Sequence, residues 1–470
     1  MNKNLKSIAE VMLSNVSTIV SGVLVGFWLP KIMSVESYGL YKTFTLYASY
    51  LGLFSLGIID GVVLKYGEKN YDELDRKKFR SYFKWYCIVH VVFGTIICVM
   101  AAFVRDIDYR FIIIALAVYM IAGNLTGYFQ QISQITMRFN ELSTRKVLQS
   151  VLNVFIILIL YAAFKCGRIV TYHSYLALWI LVNVLLTVWY IYTYKDIVFS
   201  ESLSLRATAG DIKCLISIGF PLLFANLCSS LILTLDRQFV NILFDTTTYA
   251  VYAFAYNMLT LVTVATSAVS TVLYPVLKRT NQDNLKTNYD VLVSTMMCFV
   301  FAAMIIYFPL SLFIKSFLPK YVGAIVIFRV IFPGLAISST ITVVMHNYYK
   351  AFGDNMTFFK KSIVVLIVSG VANYLAYAMF KTTISISAAS ITTMIFWYVY
   401  VEQYFVKRCG YRREKNLLYM ILMSAIFYGV TFGLHEIEGG VIYCVLFGII
   451  TVLLYKDKIS DVKEMIMNKE

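Results

Sequence analysis

The stretch that decides the fold is SVESYGLY, Ser34 to Tyr41, because a related stretch, DTTTYAVY, occurs from Asp245 to Tyr252. Each stretch follows one long apolar run and opens another. Their tyrosines align at one offset of 211 residues, the difference between positions 249 and 38: Tyr38 with Tyr249, and Tyr41 with Tyr252. Without a gap, the same offset places Asn15 on Asn226 in the preceding runs. This repetition predicts a chain built from two similar halves.

The composition is that of a multi-spanning membrane protein. The 470 residues are 60% hydrophobic and only 14% charged, and the mean hydropathy is +0.73. Soluble domains are about 45–50% apolar and about 25% charged. The eight cysteines include no pair at the C-x-x-C spacing, which argues against a zinc site or a disulfide framework.

Apolar runs of membrane-spanning length fill most of the sequence. A helix needs about 20 apolar residues to cross a bilayer, and fourteen runs meet or approach that length. The first run, 11–33, is too long for a signal peptide and is read as a span. The predicted spans are 11–33, 39–63, 83–104, 111–137, 147–164, 172–194, 214–243, 248–277, 290–314, 322–349, 362–380, 383–406, 416–433 and 440–455.

The positive charges predict the orientation of these spans. Cytoplasmic segments of membrane proteins carry an excess of Lys and Arg. If the N-terminus is cytoplasmic, the inside segments hold 30 of the 41 cations and the outside loops hold eight. We therefore expect both termini in the cytoplasm. This bias also accounts for the net charge of +15 without a nucleic-acid partner.

The repeated stretches lie six spans apart, since the first joins span 1 to span 2 and the second joins span 7 to span 8. We therefore predict an all-α polytopic membrane protein of about 14 transmembrane helices. The predicted parts are a six-helix half at 1–195, a parallel six-helix half at 196–406, and two extra helices with a cytoplasmic tail at 407–470. Parallel repeats of this kind occur in transporters, with the substrate site between them. The alternative is chance recurrence of tyrosine, of which the chain has 36 copies.

Several stretches resemble the Wzx-type oligosaccharide flippases of the polysaccharide transporter family, within the MATE-like exporter superfamily. The most specific is GFPLLFANLCSSLILTLDRQFV, Gly219 to Val240, with an early Gly-x-Pro and a late Asp-Arg. It resembles the seventh helix of those proteins. Three further stretches resemble turns and a helix start of the same family: YPVLKR from Tyr274, LPKYVGAIVIFRV from Leu318 and YYKAFGDN from Tyr348.

The resemblance implies a function in cell-surface polysaccharide biosynthesis. It implies translocation of polyprenyl-pyrophosphate-linked oligosaccharide repeat units, for O-antigen, capsule or exopolysaccharide, from the inner to the outer leaflet by alternating access. The implied location is the plasma (inner) membrane of a bacterium. The implied partners are the lipid-linked oligosaccharide, membrane lipid, and the polysaccharide polymerase and glycosyltransferases of the same pathway.

Charged and polar residues inside the predicted spans are the candidate site residues, because such residues are costly in a membrane and often functional. Cations in a cavity would favour a pyrophosphate, whereas cations near a span end can instead extend to the interface. The substrate-binding candidates are Arg237, Arg329, Lys42, Asn15 and Asn226. For the two asparagines, hydrogen bonding between helices is an equal alternative.

Four titratable residues are candidates for ion coupling: Asp60, Asp236, His346 and His90. Each has a structural alternative, since Asp60 can neutralise nearby cations and a lone histidine in a bundle often bonds a neighbouring helix. We expect no metal and no cofactor, with a proton or sodium gradient as the open source of energy.

Rival functions remain open. A cation-coupled drug antiporter and a lipid II flippase share the superfamily. A membrane glycosyltransferase would need paired carboxylates such as those of RDIDYR, Arg105 to Arg110, but two arginines flank them. A polymerase or glycosyltransferase also needs large loops, and no loop here exceeds about 20 residues. No P-loop, HExxH motif or nucleophile elbow is present, so we expect a transporter and not an enzyme.

Overall fold

The computed structural model describes the backbone of residues 3–67, 69–410 and 413–467. It describes side chains within 13–456, apart from 68, 355, 411, 412 and scattered positions from 264 to 279. The described residues are almost entirely helical and contain no strand. Contacts divide the chain into two compact units, Met1–Leu227 and Cys228–Glu470.

The first unit contains eight helices and the start of a ninth. Within it, α5 packs against α2, α4 and α7, while α6 packs against α1 and α7. The bounds are α1 Lys3–Ile32, α2 Val35–Ala48, α3 Ile58–Tyr66, α4 Arg76–Ala102, α5 Ile107–Ile135, α6 Phe139–Lys165, α7 Tyr172–Thr193, α8 Lys195–Val198 and α9 Leu205–Leu243. The division between the units falls inside α9.

The second unit has α13 as a central helix, as the first unit has α5. Here α13 packs against α10, α11 and α16, while α15 packs against α16, and α18 packs against α11, α12 and α17. The bounds are α10 Thr246–Arg279, α11 Gln282–Ala303, α12 Tyr307–Phe317, α13 Gly323–Ser339, α14 His346–Phe352, α15 Asn355–Phe380, α16 Thr383–Cys409, α17 Glu414–Gly433 and α18 Glu436–Met467. A π-helical segment, Thr340–Met345, joins α13 to α14.

The helices confirm the prediction of an all-α multi-pass membrane protein. Twelve helices of the described chain are long and apolar enough to span a bilayer, and a bent pair makes up to thirteen. The predicted span 248–277 corresponds to α10, part of which lies outside the described side chains. The last two predicted spans, 416–433 and 440–455, correspond to α17 and α18, and both helices are long and apolar enough to span.

The two repeated stretches have the same local structure. Ser34 caps α2, because its hydroxyl accepts a hydrogen bond from the Ser37 amide. Asp245, 211 residues later, caps α10 by accepting from the amides of Thr247 and Thr248. In both stretches the aligned tyrosines are buried. The sequence repeat therefore encodes a helix start followed by two buried rings.

The second predicted span, 39–63, is not one straight helix. Its two helical parts, Val35–Ser55 and Ile58–Tyr66, are bent by 58°. At the bend Leu56 and Gly57 adopt left-handed conformations, with φ of 52° and 77°, and a left-handed residue ends a right-handed helix. The continuous helix expected from the apolar run is therefore interrupted by its glycine-containing turn.

Glycines let α3 cross α9 at backbone distance. A Cβ atom added to Gly61 would lie 2.2 Å from the carbonyl oxygen of Leu215, and one added to Gly219 would lie 2.0 Å from that of Gly57. Small residues at i and i+4 permit such close approach of helices in membranes. The Gly-x-Pro sequence that carried the family resemblance thus supplies a packing contact of the first unit.

The linker between α7 and α9 is fixed to the first unit. Both carboxylate oxygens of Asp196 accept from the Tyr71 hydroxyl, at 2.8 and 2.9 Å. Burial and this bond raise the pKa of Tyr71, which keeps the phenol protonated as a donor. Ser81 bonds both the amide and the carbonyl of Leu203, and Trp85 donates to the Leu205 carbonyl. The chain therefore enters α9 from a fixed position.

Candidate functional site

The described contacts bring one group of polar residues together around Asp236, on the C-terminal part of α9. The Asp236 side chain is 2% exposed. Its carboxylate accepts hydrogen bonds from the hydroxyls of Tyr252, at 2.7 Å, and Tyr256, both on α10. It also accepts from the amide of Arg237 at 2.7 Å. A buried carboxylate is costly without such donors, so these tyrosines explain why Asp236 is tolerated there.

The Arg237 guanidinium lies against Tyr256, one of the two α10 tyrosines that bond Asp236. Its Cζ lies 4.5 Å from the centre of the Tyr256 ring, and its Nη2 donates to the Leu233 carbonyl at 2.9 Å. Its buried Nε atom has no hydrogen-bond partner among the described residues. The described residues therefore leave part of the donor capacity of this guanidinium unsatisfied.

A third helix completes the group. Ser387 on α16 donates to the Tyr252 hydroxyl at 3.3 Å. One turn further, Ser390 donates to the side-chain oxygen of Asn373 on α15, also at 3.3 Å. We call Asp236, Arg237, Tyr252, Tyr256 and Ser387 the acid–tyrosine site. It can hold a carboxylate away from water with its hydrogen bonds satisfied and with a cation on the next residue.

The first unit has no counterpart of this site at the aligned positions. The offset of 211 residues places Val25 opposite Asp236 and Tyr41 opposite Tyr252. The Tyr41 ring instead packs edge-to-face on Tyr175, with ring centres 5.2 Å apart. At the positions aligned by this offset, the acid–tyrosine site is therefore present only in the second unit.

Two of the predicted cations pack on aromatic rings elsewhere. The Lys42 ammonium lies 5.3 and 5.5 Å from the ring centres of Tyr38 and Tyr41 in the first unit. In the second unit, Arg329 Nε donates to the Tyr307 hydroxyl at 3.0 Å, and its Cζ lies 4.5 Å from the Phe432 ring centre. Arg329 thus ties α13 to α12 and α17, a role that the sequence did not predict.

The predicted asparagines differ in exposure. Asn15 is half-buried on α1, whereas Asn226 is exposed on α9. Their matching positions in the repeat are therefore not accompanied by matching burial. Their assignment to the substrate path stays a prediction.

His90 is held in one tautomer by its neighbours. Its Nδ1 lies 2.8 Å from the Tyr86 carbonyl, so it carries the proton, and its Nε2 accepts from Asn124 at 2.9 Å. The same Asn124 amide donates to the Leu51 carbonyl at 3.0 Å. Leu51 begins the turn that breaks the second span, so His90 supports this bend.

The other two coupling candidates, Asp60 and His346, have other surroundings. Asp60 is half-buried in the first turn of α3, just beyond the bend, in the first unit. His346 stacks on Phe358, with ring centres 4.5 Å apart. Among the described residues, no group of three or more His, Cys, Asp or Glu side chains could hold a metal ion.

Sequence comparison shows the family. The family described as "Polysaccharide biosynthesis protein" matches residues 5–281, more than half of the chain. The chain therefore belongs to this family of polysaccharide biosynthesis proteins. No curated protein sequence matches it significantly.

Comparison with solved structures shows the fold. The chain is similar to "Lipid II flippase MurJ, inward closed conformation" with a TM-score of 0.71 and 15% identity, covering 97% of this chain and 100% of that one. It is also similar to an inward-facing "multidrug resistance MATE family transporter of the MOP superfamily", with a TM-score of 0.58 and 13% identity over 86% of this chain and 99% of that one. At these identities the likeness is one of fold. The family match confirms that the chain is a polysaccharide biosynthesis protein, as the resemblance implied.

Proposed function

We propose that this protein moves polyprenyl-pyrophosphate-linked oligosaccharide repeat units from the inner to the outer leaflet by alternating access. The observation that carries the proposal is the combination of a polysaccharide-biosynthesis family match with a transporter fold in one chain. A sugar chain cannot cross hydrocarbon unaided, since each unpaired hydroxyl costs on the order of several kcal/mol. A polar path through the protein removes that cost.

The architecture supports transport and not catalysis. Within the described chain, the longest segments between α-helices run from 49 to 57 and from 67 to 75, and each contains one short 3₁₀ helix. Such segments leave no space for a catalytic domain of the kind that a membrane glycosyltransferase or polymerase uses. We place the protein in the plasma membrane of a bacterium, with both termini in the cytoplasm because of the cation distribution.

The acid–tyrosine site is our candidate for coupling and anion binding. Asp236 is our coupling candidate because it is a buried acidic side chain that the Tyr252 and Tyr256 hydroxyls hold in place. Arg237, with an unpartnered buried Nε, is our candidate for binding pyrophosphate. Lys42, Asn15 and Asn226 remain proposals for the substrate path, and Asp60 for coupling. The packing of Arg329, His90 and His346 favours structural roles for these three.

The test is deletion of the gene in its host, with mass spectrometry of lipid-linked saccharides and assignment of their leaflet. Complete repeat units stranded on the cytoplasmic side are expected. Units missing one sugar would identify a glycosyltransferase, and exported but unpolymerised units a polymerase. Stranded lipid II would identify a lipid II flippase. An unchanged lipid pool with new drug sensitivity would identify a drug antiporter.

Complementation of this strain tests the acid–tyrosine site. Asp236→Asn keeps the size of the side chain but removes its charge, so we expect it to express normally and fail to restore surface polysaccharide. Tyr252→Phe keeps the carboxylate and one phenol donor, so it should retain partial activity. Full complementation by Asp236→Asn would remove Asp236 from the mechanism.

A further inference from the structure

An open groove runs between α1 and α6 in the first unit. Its volume is about 400 Å³, and its walls are formed by Val16, Val20, Val151, Phe155 and Leu158. These five side chains are each more than half exposed. Ligand sites of comparable volume are lined mainly by apolar side chains with a few polar groups.

The floor of the groove is made of small polar residues. Ser21 and Ser150 line it and are only 4% and 5% exposed. The Ser150 hydroxyl donates to the Lys146 carbonyl at 2.9 Å and reaches the Thr18 hydroxyl at 3.5 Å. Because the Ser150 and Thr18 hydroxyls bond carbonyls of their own helices, the groove offers mainly a hydrocarbon surface to an occupant. Its depth comes from the small size of serine between larger neighbours.

The α6 helix carries a cation one turn before the groove. Lys146 precedes Ser150 by one helical turn, on the same face of α6 as Val154 and Leu158, because residues four apart share a face. It is half-buried, and among the described residues it forms no ion pair. Its neighbours differ: Arg145 lies 2.5 Å from Glu141, and Arg138 lies 3.6 Å from the same carboxylate. Lys146 is therefore the cation of this segment that the described acids leave uncompensated.

We propose that this groove binds the phosphate-bearing isoprenoid chain of the lipid-linked substrate, with the phosphate at Lys146 and the chain between α1 and α6. This inference rests on the proposed function. One apolar groove beside a cation matches a single chain that ends in an anionic phosphate or pyrophosphate group. A phospholipid would leave its second acyl chain outside the groove. The distribution of cations places Lys146 at the cytoplasmic end of α6, where a flippase receives its substrate.

The proposal is tested on the purified full-length protein in phosphatidylcholine vesicles, with a photoactivatable polyprenyl monophosphate as the probe. Labelled peptides are mapped by mass spectrometry. We expect labels within 13–21 and 150–158, and about a fivefold loss in Lys146→Gln, since an ion pair at a partly exposed site contributes up to about that factor. Phe155→Ala should also reduce labelling by shortening a wall. Lys165→Gln, at the other end of α6, and Ile159→Ala, exposed beside the groove, should label like the wild type.

Competition identifies the occupant. Unlabelled polyprenyl phosphate should displace the probe, whereas an equal amount of phosphatidylglycerol should not. Equal displacement by phosphatidylglycerol, labels outside the two segments, or wild-type labelling of Lys146→Gln would each overturn the proposal. Because binding is measured without transport, its failure is separate from failure of the proposed function. A labelled groove in a protein whose deletion strands no lipid-linked saccharide would refute only the flippase assignment.

Discussion

Replacing Gly219 by alanine should destabilise the first unit by disrupting the crossing of α3 and α9. The added Cβ would lie 2.0 Å from the Gly57 carbonyl oxygen and 2.4 Å from the Gly61 amide nitrogen. Ordinary contacts of a Cβ begin at 3.4 Å. The two helices must therefore separate by more than an ångström, because both clashing partners are backbone atoms that cannot rotate away.

The expected cost follows from this clash. Overpacking of a filled interior costs about 1–3 kcal/mol of unfolding free energy. We expect about 3 kcal/mol for Gly219→Ala, because no side chain at the crossing can move aside. A unit of the size of Met1–Leu227 loses about 2–4 °C of melting temperature per kcal/mol. If the first unit unfolds as one, its midpoint should fall by about 6–12 °C.

This shift is measured by heating the purified protein in detergent and recording how much of it stays monodisperse at each temperature. Gly22→Ala and Gly127→Ala are matched controls, because an added Cβ at either helical glycine meets nothing within 4 Å. Alanine is the better helix former by about 1 kcal/mol, so the controls should melt at or slightly above the wild-type midpoint. If Gly219→Ala melted with the controls, the backbone crossing of α3 and α9 would be wrong.

Three further outcomes are expected from the described contacts. Asp245→Ala should cost about 0.5–1 kcal/mol at pH 7 through loss of the α10 cap. Because hydrogen bonds lower the pKa of Asp245 to about 2, the stabilisation by this cap should be lost as the pH falls from about 4 through 2. In the same melting assay, the cost of the control Ser34→Ala should not change with pH. Arg329→Lys should lower the melting temperature as much as Arg329→Ala, since a lysine cannot reproduce both the Nε bond to Tyr307 and the stacked guanidinium. If Arg329→Lys melted like the wild type but lost transport, Arg329 would instead belong to the substrate path. Asp196→Asn should speed tryptic cleavage of the linker after α7, and unchanged cleavage would show that this linker is not held by Asp196.

The sequence alone predicted most of the helices because apolar length is a local property. Residues 39–63 show the limit of that argument. Their hydropathy is continuous, but Leu56 and Gly57 take left-handed conformations that a hydropathy pattern does not report. The packing partner of Gly57 and Gly61, Gly219, lies too far along the chain to be inferred from the sequence.

The candidate site was predicted only in part. Asp236 and Arg237 stood out as charges within an apolar run, yet their tyrosine partners did not. The i, i+4 spacing of Tyr252 and Tyr256 was a usable signal, since it places two phenols on one face of α10. Arg329 was read as a cavity cation because its partners, Tyr307 and Phe432, are brought to it only by tertiary packing.

Transport by the purified protein tests the central claim most directly. The protein is reconstituted into vesicles that carry a fluorescent lipid-linked oligosaccharide on both leaflets, and an added membrane-impermeant quencher reports the fraction that reaches the outer leaflet. The account predicts that wild-type vesicles lose nearly all fluorescence, while empty vesicles and Asp236→Asn vesicles retain the inner-leaflet share. The decisive test uses a lipid-linked repeat unit from the protein's own host and an imposed proton or sodium gradient. If wild-type vesicles still retained the inner-leaflet fluorescence under these conditions, the flippase assignment would be contradicted.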